Sequence, residues 1–332
     1  IIASPGRGPG AINNYLKARR YSVDFDGVFK DWVIANYLDQ PGEGRYSYPQ
    51  DQINVKGEAI GRTGETQGTV HQYAADYLEL NLDPGDYLVE VEGQPLVRLI
   101  PNQAHSGRAQ WWSNRGDSID TMLTREIDLQ GREKATLRFW TWYNIEKPWD
   151  FAYVEASTDG GKTWTVLPGL HTTTENPLGN SFGPGYTGNS GGGKEPVWVE
   201  ESVDLSPFAG KKILLRFEYI TDEAVNDVGF ALDDISIPEL NFSDDAEEDH
   251  GWEARGFYRT ANSLRGRLTL QVIKVRDETV VQEVPVDEEG RARLELRGFG
   301  KELRNAVLVV SAQTPVTTEP AKYTVRVSPM GR

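Results

Sequence analysis

No cysteine occurs among the 332 residues, so disulfide staples and thiolate chemistry are both excluded. That absence suits a cytosolic protein, and equally a secreted bacterial protein that uses calcium as its staple. No apolar run approaches the roughly 20 residues of a membrane span. The opening residues Ile1-Ile2-Ala3-Ser4-Pro5-Gly6 lack the charged and apolar regions of a signal peptide. If the protein is exported, the expectation is that this chain starts after processing or is a fragment of a longer precursor. Basic residues are in deficit: 35 Lys and Arg stand against 50 Asp and Glu, for a net charge of −15. That balance argues against nucleic acid, whose phosphates need a basic surface, and against anionic membranes. It favours solubility and cation binding.

Histidine is scarce as well, with only His71, His105, His171 and His250. Zinc proteolysis needs two His on one helical face with a Glu between them. No His-Glu-x-x-His sequence and no i, i+4 pair occurs, so this chain cannot make that site by itself, and isolated loop histidines are the simpler reading. A Gly-x-Ser-x-Gly elbow is absent too. Carboxylates, by contrast, are so abundant that no single pair marks a glycoside-hydrolase site.

What the chain does have is β patterning. Its hydrophobic content of 38% is modest, but nine Trp and fourteen Tyr supply large buried areas, and 34 Gly with 18 Pro suit a loop-rich β protein. Residues 135–142, 151–156, 197–205 and 213–220 read as strands, punctuated by Gly, Pro, Asn and Asp clusters. Leu137, Phe139, Thr141 and Tyr143 alternate with Arg138, Trp140, Trp142 and Asn144, and Leu215, Phe217 and Tyr219 alternate with Arg216, Glu218 and Ile220. A period of two means half-buried antiparallel strands, and a jelly-roll β-sandwich is the economical fold.

Around this stretch the reading is coarser. Phe25, Val28, Phe29, Trp32, Val33, Asn36 and Tyr37 mark one face of a helix, with Asp24 as N-cap and Pro41-Gly42 as its stop. A shorter helix is expected near 11–18. Tyr77, Leu78, Leu80 and Leu82, then Tyr87, Val89 and Val91, read as a hairpin turned by Asp83-Pro84-Gly85-Asp86. Strands return at 268–275, 279–286, 291–296, 306–312 and 323–327. The organisation expected is a helical segment over 1–45, a β-sandwich from 46–105 plus 241–332, and the jelly roll over 106–240 inserted in or beside it.

Two local patterns bear on chemistry. Ser157-Thr158-Asp159-Gly160-Gly161-Lys162-Thr163-Trp164 matches the Asp-box pattern, a tight turn whose carboxylate accepts backbone N–H groups. It occurs once, so it reads as a structural hairpin. Asp233 and Asp234 interrupt an apolar strand, Phe230 to Ile237. One of the two must face inward or lie at a sheet edge, and a buried carboxylate without a partner is costly. Calcium, which takes six to eight oxygens, would relieve that cost, with Asp117 and Asp120 as distant co-ligands. The bland alternative is a pair that caps backbone N–H groups at a bulge.

The segments 111–124 (WWSNRGDSIDTMLT), 152–164 (AYVEASTDGGKTW), 176–188 (NPLGNSFGPGYTG) and 217–238 (FEYITDEAVNDVGFALDDISIP) carry a resemblance. They are similar to the C-terminal region of secreted immune inhibitor A-type metallopeptidases, and the similarity continues from Asp244-Asp245-Ala246-Glu247 to Thr260. The resemblance implies a jelly-roll domain similar to MAM domains, accompanying a zinc protease domain and binding calcium. The stretch 25–45 resembles the last helices of that protease domain, which places zinc only in an upstream part that this chain lacks.

The expectation is therefore a secreted or surface-exposed, non-catalytic accessory region with structural calcium. Its partners would be an upstream protease domain or other protein surfaces. Two further classes stay open. A glycan-binding module would show a solvent-facing row of Trp140, Trp142 or Trp149. A self-assembling surface protein would bury residues 1–37 or the last strand against other copies.

Overall fold

The computed structural model describes residues 8–49, 53–61 and 63–331. Residues 1–6, read for a signal peptide, and the first seven residues of the expected helical segment and assembly surface lie outside the described residues. The chain is mainly β, and it divides into a flanking unit, Ile1–Leu99 with Ser263–Arg332, and an inserted unit, Ile100–Asn262.

In the flanking unit, helices α1 (Gly8–Ala18) and α2 (Phe25–Leu38) form where the apolar spacing predicts them. Asp24 caps α2 by accepting the Gly27 N–H at 2.8 Å, and Asp39 ends it in the left-handed region with φ 45°. Phe29, Val33 and Ile34 of α2 pack with Tyr77, Ile273, Val307 and Val309. A four-stranded sheet (Arg291–Phe299, Gly85–Gly93, Ala321–Pro329, Gly64–Val70) and a three-stranded one (Thr279–Val284, Leu268–Val275, Asn305–Ala312) share one core.

The hairpin expected at 83–86 does not form. Strand Gly85–Gly93 joins the four-stranded sheet, while Ala74–Leu80 pairs in parallel with Glu58–Ile60 in a different one. The physical reason is burial: Leu78 and Leu80 enter the same core as Tyr87, Val89 and Val91. The two strands meet through side chains across the core, and the Pro-Gly turn passes the chain from sheet to sheet.

The inserted unit is an antiparallel sandwich. Its first sheet has seven strands centred on Thr136–Ile145 and Gly229–Ile237, and its second has five, centred on Phe151–Ser157, Lys212–Ile220 and Asp120–Asp128. The alternating residues meet between them: Leu137, Phe139 and Tyr143 from one sheet, Leu215, Phe217 and Tyr219 from the other, all buried. Residues 241–262, grouped with the flanking sandwich in the sequence reading, instead give three strands to this unit: Phe242–Asp244, Glu253–Arg255 and Tyr258–Thr260. Asn262 closes it. Its Oδ1 accepts the Ile100 N–H at 2.9 Å, and its Nδ2 donates to the Asn102 carbonyl at 2.7 Å, tying chain entry to chain exit.

Candidate functional site

Asp233 and Asp234 lie at a bulge. Pairing with the neighbouring strand shifts register between Arg138↔Ser236 and Trp140↔Asp233, and Asp234 adopts φ 48°. The shift turns Asp233 fully inward. Its Oδ2 accepts the N–H groups of His105 (2.8 Å) and Ser106 (3.1 Å), and its Oδ1 accepts that of Asp234 (2.8 Å). Burial still pushes its pKa up to about 6. Asp234 holds the same loop from outside, through His105 Nδ1 at 2.6 Å and the Ser106 hydroxyl at 2.7 Å. The His105 ring stacks on Trp140 with centroids 3.9 Å apart.

Asp117 and Asp120 are held elsewhere. Asp117 accepts the Asn226 amide at 2.5 Å, and Asp120 opens a strand of the other sheet, opposite Ile220. The reason lies in Gly229 at the start of the Asp233 strand. A Cβ there would sit 2.6 Å from the Asn114 carbonyl oxygen, so the loop carrying Asp117 abuts that end of the strand rather than its middle. Asp117 and Asp120 are thus each engaged away from the partners of Asp233 and Asp234. Asp233 and Asp234 satisfy themselves on backbone and loop groups, the capping alternative.

A different carboxylate cluster does form. Glu146-Lys147-Pro148-Trp149-Asp150 is the turn between the strands Thr136–Ile145 and Phe151–Ser157, and its Glu146 carbonyl accepts the N–H groups of Trp149 (3.1 Å) and Asp150 (2.9 Å). Asp150 is fully buried, and its Oδ1 accepts the Asp222 N–H at 2.9 Å. Carboxylate oxygens of Glu146, Asp150 and Asp222 lie within 4.8 Å of one another. Asp150 Oδ2 and Glu146 Oε2 are buried without a hydrogen-bond partner, as are the neighbouring Asn180 Oδ1 and Tyr219 hydroxyl.

Desolvation, then the charges of Asp222, Glu146 and Asp227, raise Asp150 to about 7, even though its bond from the Asp222 N–H works the other way. Desolvation also raises Glu146, with Asp222 and Asp227 adding to the shift. Buried carboxylate oxygens without a partner, in a cluster of three acids, are costly unless a cation receives them. Sequence reasoning missed this trio because it is assembled from two turns some 70 positions apart; the only local signal is an acidic turn between two apolar strands. A second acidic group, Asp244, Asp245 and His250, differs in kind. The buried Asp244 spends both oxygens, on the Ala246 N–H (2.8 Å) and the Trp252 indole (2.6 Å).

The Asp box is a structural turn. Asp159 accepts the N–H groups of Lys162 and Thr163, both at 3.0 Å, and the Thr163 hydroxyl at 2.6 Å, which lowers it to about 2. The solvent-facing aromatic row that a glycan-binding module would show is reduced to one ring. Trp111, Trp112, Trp142 and Tyr143 are buried, Trp140 lies under His105, and Trp149 is 46% exposed.

Residues 71–262 match the family model "Immune inhibitor A-like, MAM domain". The chain is 31% identical over 166 residues to the pre-pro-metalloprotease PrtV of Vibrio cholerae serotype O1, covering 49% of this chain and 17% of that protein. It is 35% identical over 147 residues to immune inhibitor A of Bacillus thuringiensis subsp. alesti, covering 42% and 19%. Bacillopeptidase F of Bacillus subtilis (strain 168) matches at 26% over 142 residues, covering 41% and 8%. The chain thus spans less than a fifth of the length of each of these relatives.

Proposed function

The chain belongs to the immune inhibitor A-like MAM-domain family, and from that premise we propose that it is a non-catalytic accessory region of a secreted metallopeptidase, stabilised by calcium bound at Glu146, Asp150 and Asp222. The relatives named for metalloprotease activity are several times longer than the matched region, which supports an accessory part working beside a protease domain and outside the cell. The sequence carries no His-Glu-x-x-His, so zinc belongs to that protease domain, and the chain alone should not cleave casein.

The observation that carries the calcium reading is the pair of buried, partnerless oxygens on Glu146 and Asp150, facing a third carboxylate. All donors are oxygens in irregular array, which suits calcium; zinc would prefer His or Cys. Binding to the folded state alone stabilises it by mass action, about 2.7 kcal/mol at a hundredfold excess over Kd. Calcium should raise the Tm and a chelator should lower it. Asp150→Asn should remove most of the difference, whereas Asp234→Asn should leave it. A Tm indifferent to calcium, or a response that survives Asp150→Asn, rejects the site.

A further inference from the structure

Resting on that calcium reading, we propose that the same cation is a recognition centre for neutral glycans: a vicinal hydroxyl pair completes its coordination while the sugar's apolar face lies on Trp149. Calcium takes six to eight oxygens. The protein offers three carboxylates, and one of the six oxygens, Asp150 Oδ1, is already spent on the Asp222 N–H. Glu146 Oε2 and Asp150 Oδ2 are buried, whereas Asp222 is only half-buried, so the remaining coordination positions lie on the Asp222 side.

Charge decides what fills them. Three carboxylates around a divalent cation leave one negative charge, and Asp227 acts on the same groups. A phosphate or a partner's carboxylate would be repelled there, in a chain of net charge −15. Neutral hydroxyl oxygens are accepted. Trp149 is one residue from Asp150 and belongs to the same tight turn. Its backbone is fixed twice, by donation to the Glu146 carbonyl at 3.1 Å and by acceptance from the Asn180 amide at 2.9 Å. A large ring held 46% exposed on a rigid turn is an apolar platform without a covering partner in its own unit.

The test uses the full chain on immobilised mannan, galactan and xylan. Calcium-dependent retention on at least one of them is expected, and a chelator should abolish it. Trp149→Ala should weaken retention at least tenfold while keeping the full calcium-induced rise in Tm, and Trp149→Tyr should recover part of the binding. Asp150→Asn should lose both. No calcium-dependent retention on any of the three, or retention unchanged in Trp149→Ala, overturns the proposal and leaves the calcium site standing. Calcium-dependent binding to phosphatidylserine vesicles in place of the polysaccharides also overturns it. Loss of the Tm response in the wild type refutes the calcium reading itself.

Discussion

The outer face of the five-stranded sheet holds a buried acid that should be neutral at pH 7. Arg216 donates twice to Glu155 Oε2, at 2.9 and 2.6 Å, and its Nη2 stands 3.3 Å from Glu218 Oε1. The guanidinium lies 3.7 Å from the centre of the Trp164 ring supplied by the Asp-box turn. One cation therefore serves two buried carboxyl groups. Desolvation, then the charge of Glu155, raises Glu218 to about 8, against the opposing pull of Arg216. The sign follows from linkage. The folded chain holds a proton that the unfolded chain has lost, so this contribution is complete below about pH 4.5 and fades as pH rises through about 8. The slope is at most about 1.4 kcal/mol per pH unit. Urea denaturation between pH 5 and 9 should show stability falling with pH more steeply in the wild type than in Glu218→Gln. Identical slopes would mean that Glu218 titrates normally.

At the scale of elements, the loop 103–106 is fastened to strand Gly229–Ile237 by two carboxylates, Asp233 on its backbone N–H groups and Asp234 on its side chains. Asp233→Ala would strip the acceptor from the His105, Ser106 and Asp234 N–H groups together. An orphaned buried donor costs about 1–3 kcal/mol, and water can reach the half-buried loop, so a loss of roughly 2 kcal/mol is expected. Amide exchange at His105 and Ser106 should accelerate, and Trp140 fluorescence should change as the imidazole leaves its ring; unchanged exchange would show that Asp234 suffices. The strand itself, its inward Asp and the capping alternative were all legible from Phe230-to-Ile237 patterning. So were α2 with its Asp24 cap and the alternation of Leu137, Phe139 and Tyr143. The partners were not. Which loop reaches Asp233, and which sheet Tyr87 enters, depend on sheet order, and strand periodicity is blind to that. Glu146 and Asp150 were hidden for another reason: among 50 acidic residues, what distinguishes them is the lack of a partner, which only the folded arrangement reveals.

At the scale of the whole molecule, the two units differ in how the chain builds them. The flanking unit draws on two segments separated by the inserted one, so its core cannot close until residues far apart in sequence meet. The inserted unit is continuous from Ile100 to Asn262, with its own core between two sheets and its ends tied by the Asn262 side chain. It also contains every group invoked for calcium and for glycan: Glu146, Asp150, Asp222 and Trp149. A continuous segment of about this length, with a closed core and satisfied ends, meets the requirements of an independently folding domain. Residues 100–262 expressed alone should therefore unfold in one cooperative transition and keep the calcium-induced rise in Tm seen in the full chain. Asn262→Ala should lower that transition while preserving the calcium response, because it loosens the clasp and leaves the carboxylates in place. Circular dichroism and thermal melts with calcium or chelator decide the matter. A fragment that lacks β structure, or melts without responding to calcium when the full chain does respond, would show that the flanking unit is needed to hold the site.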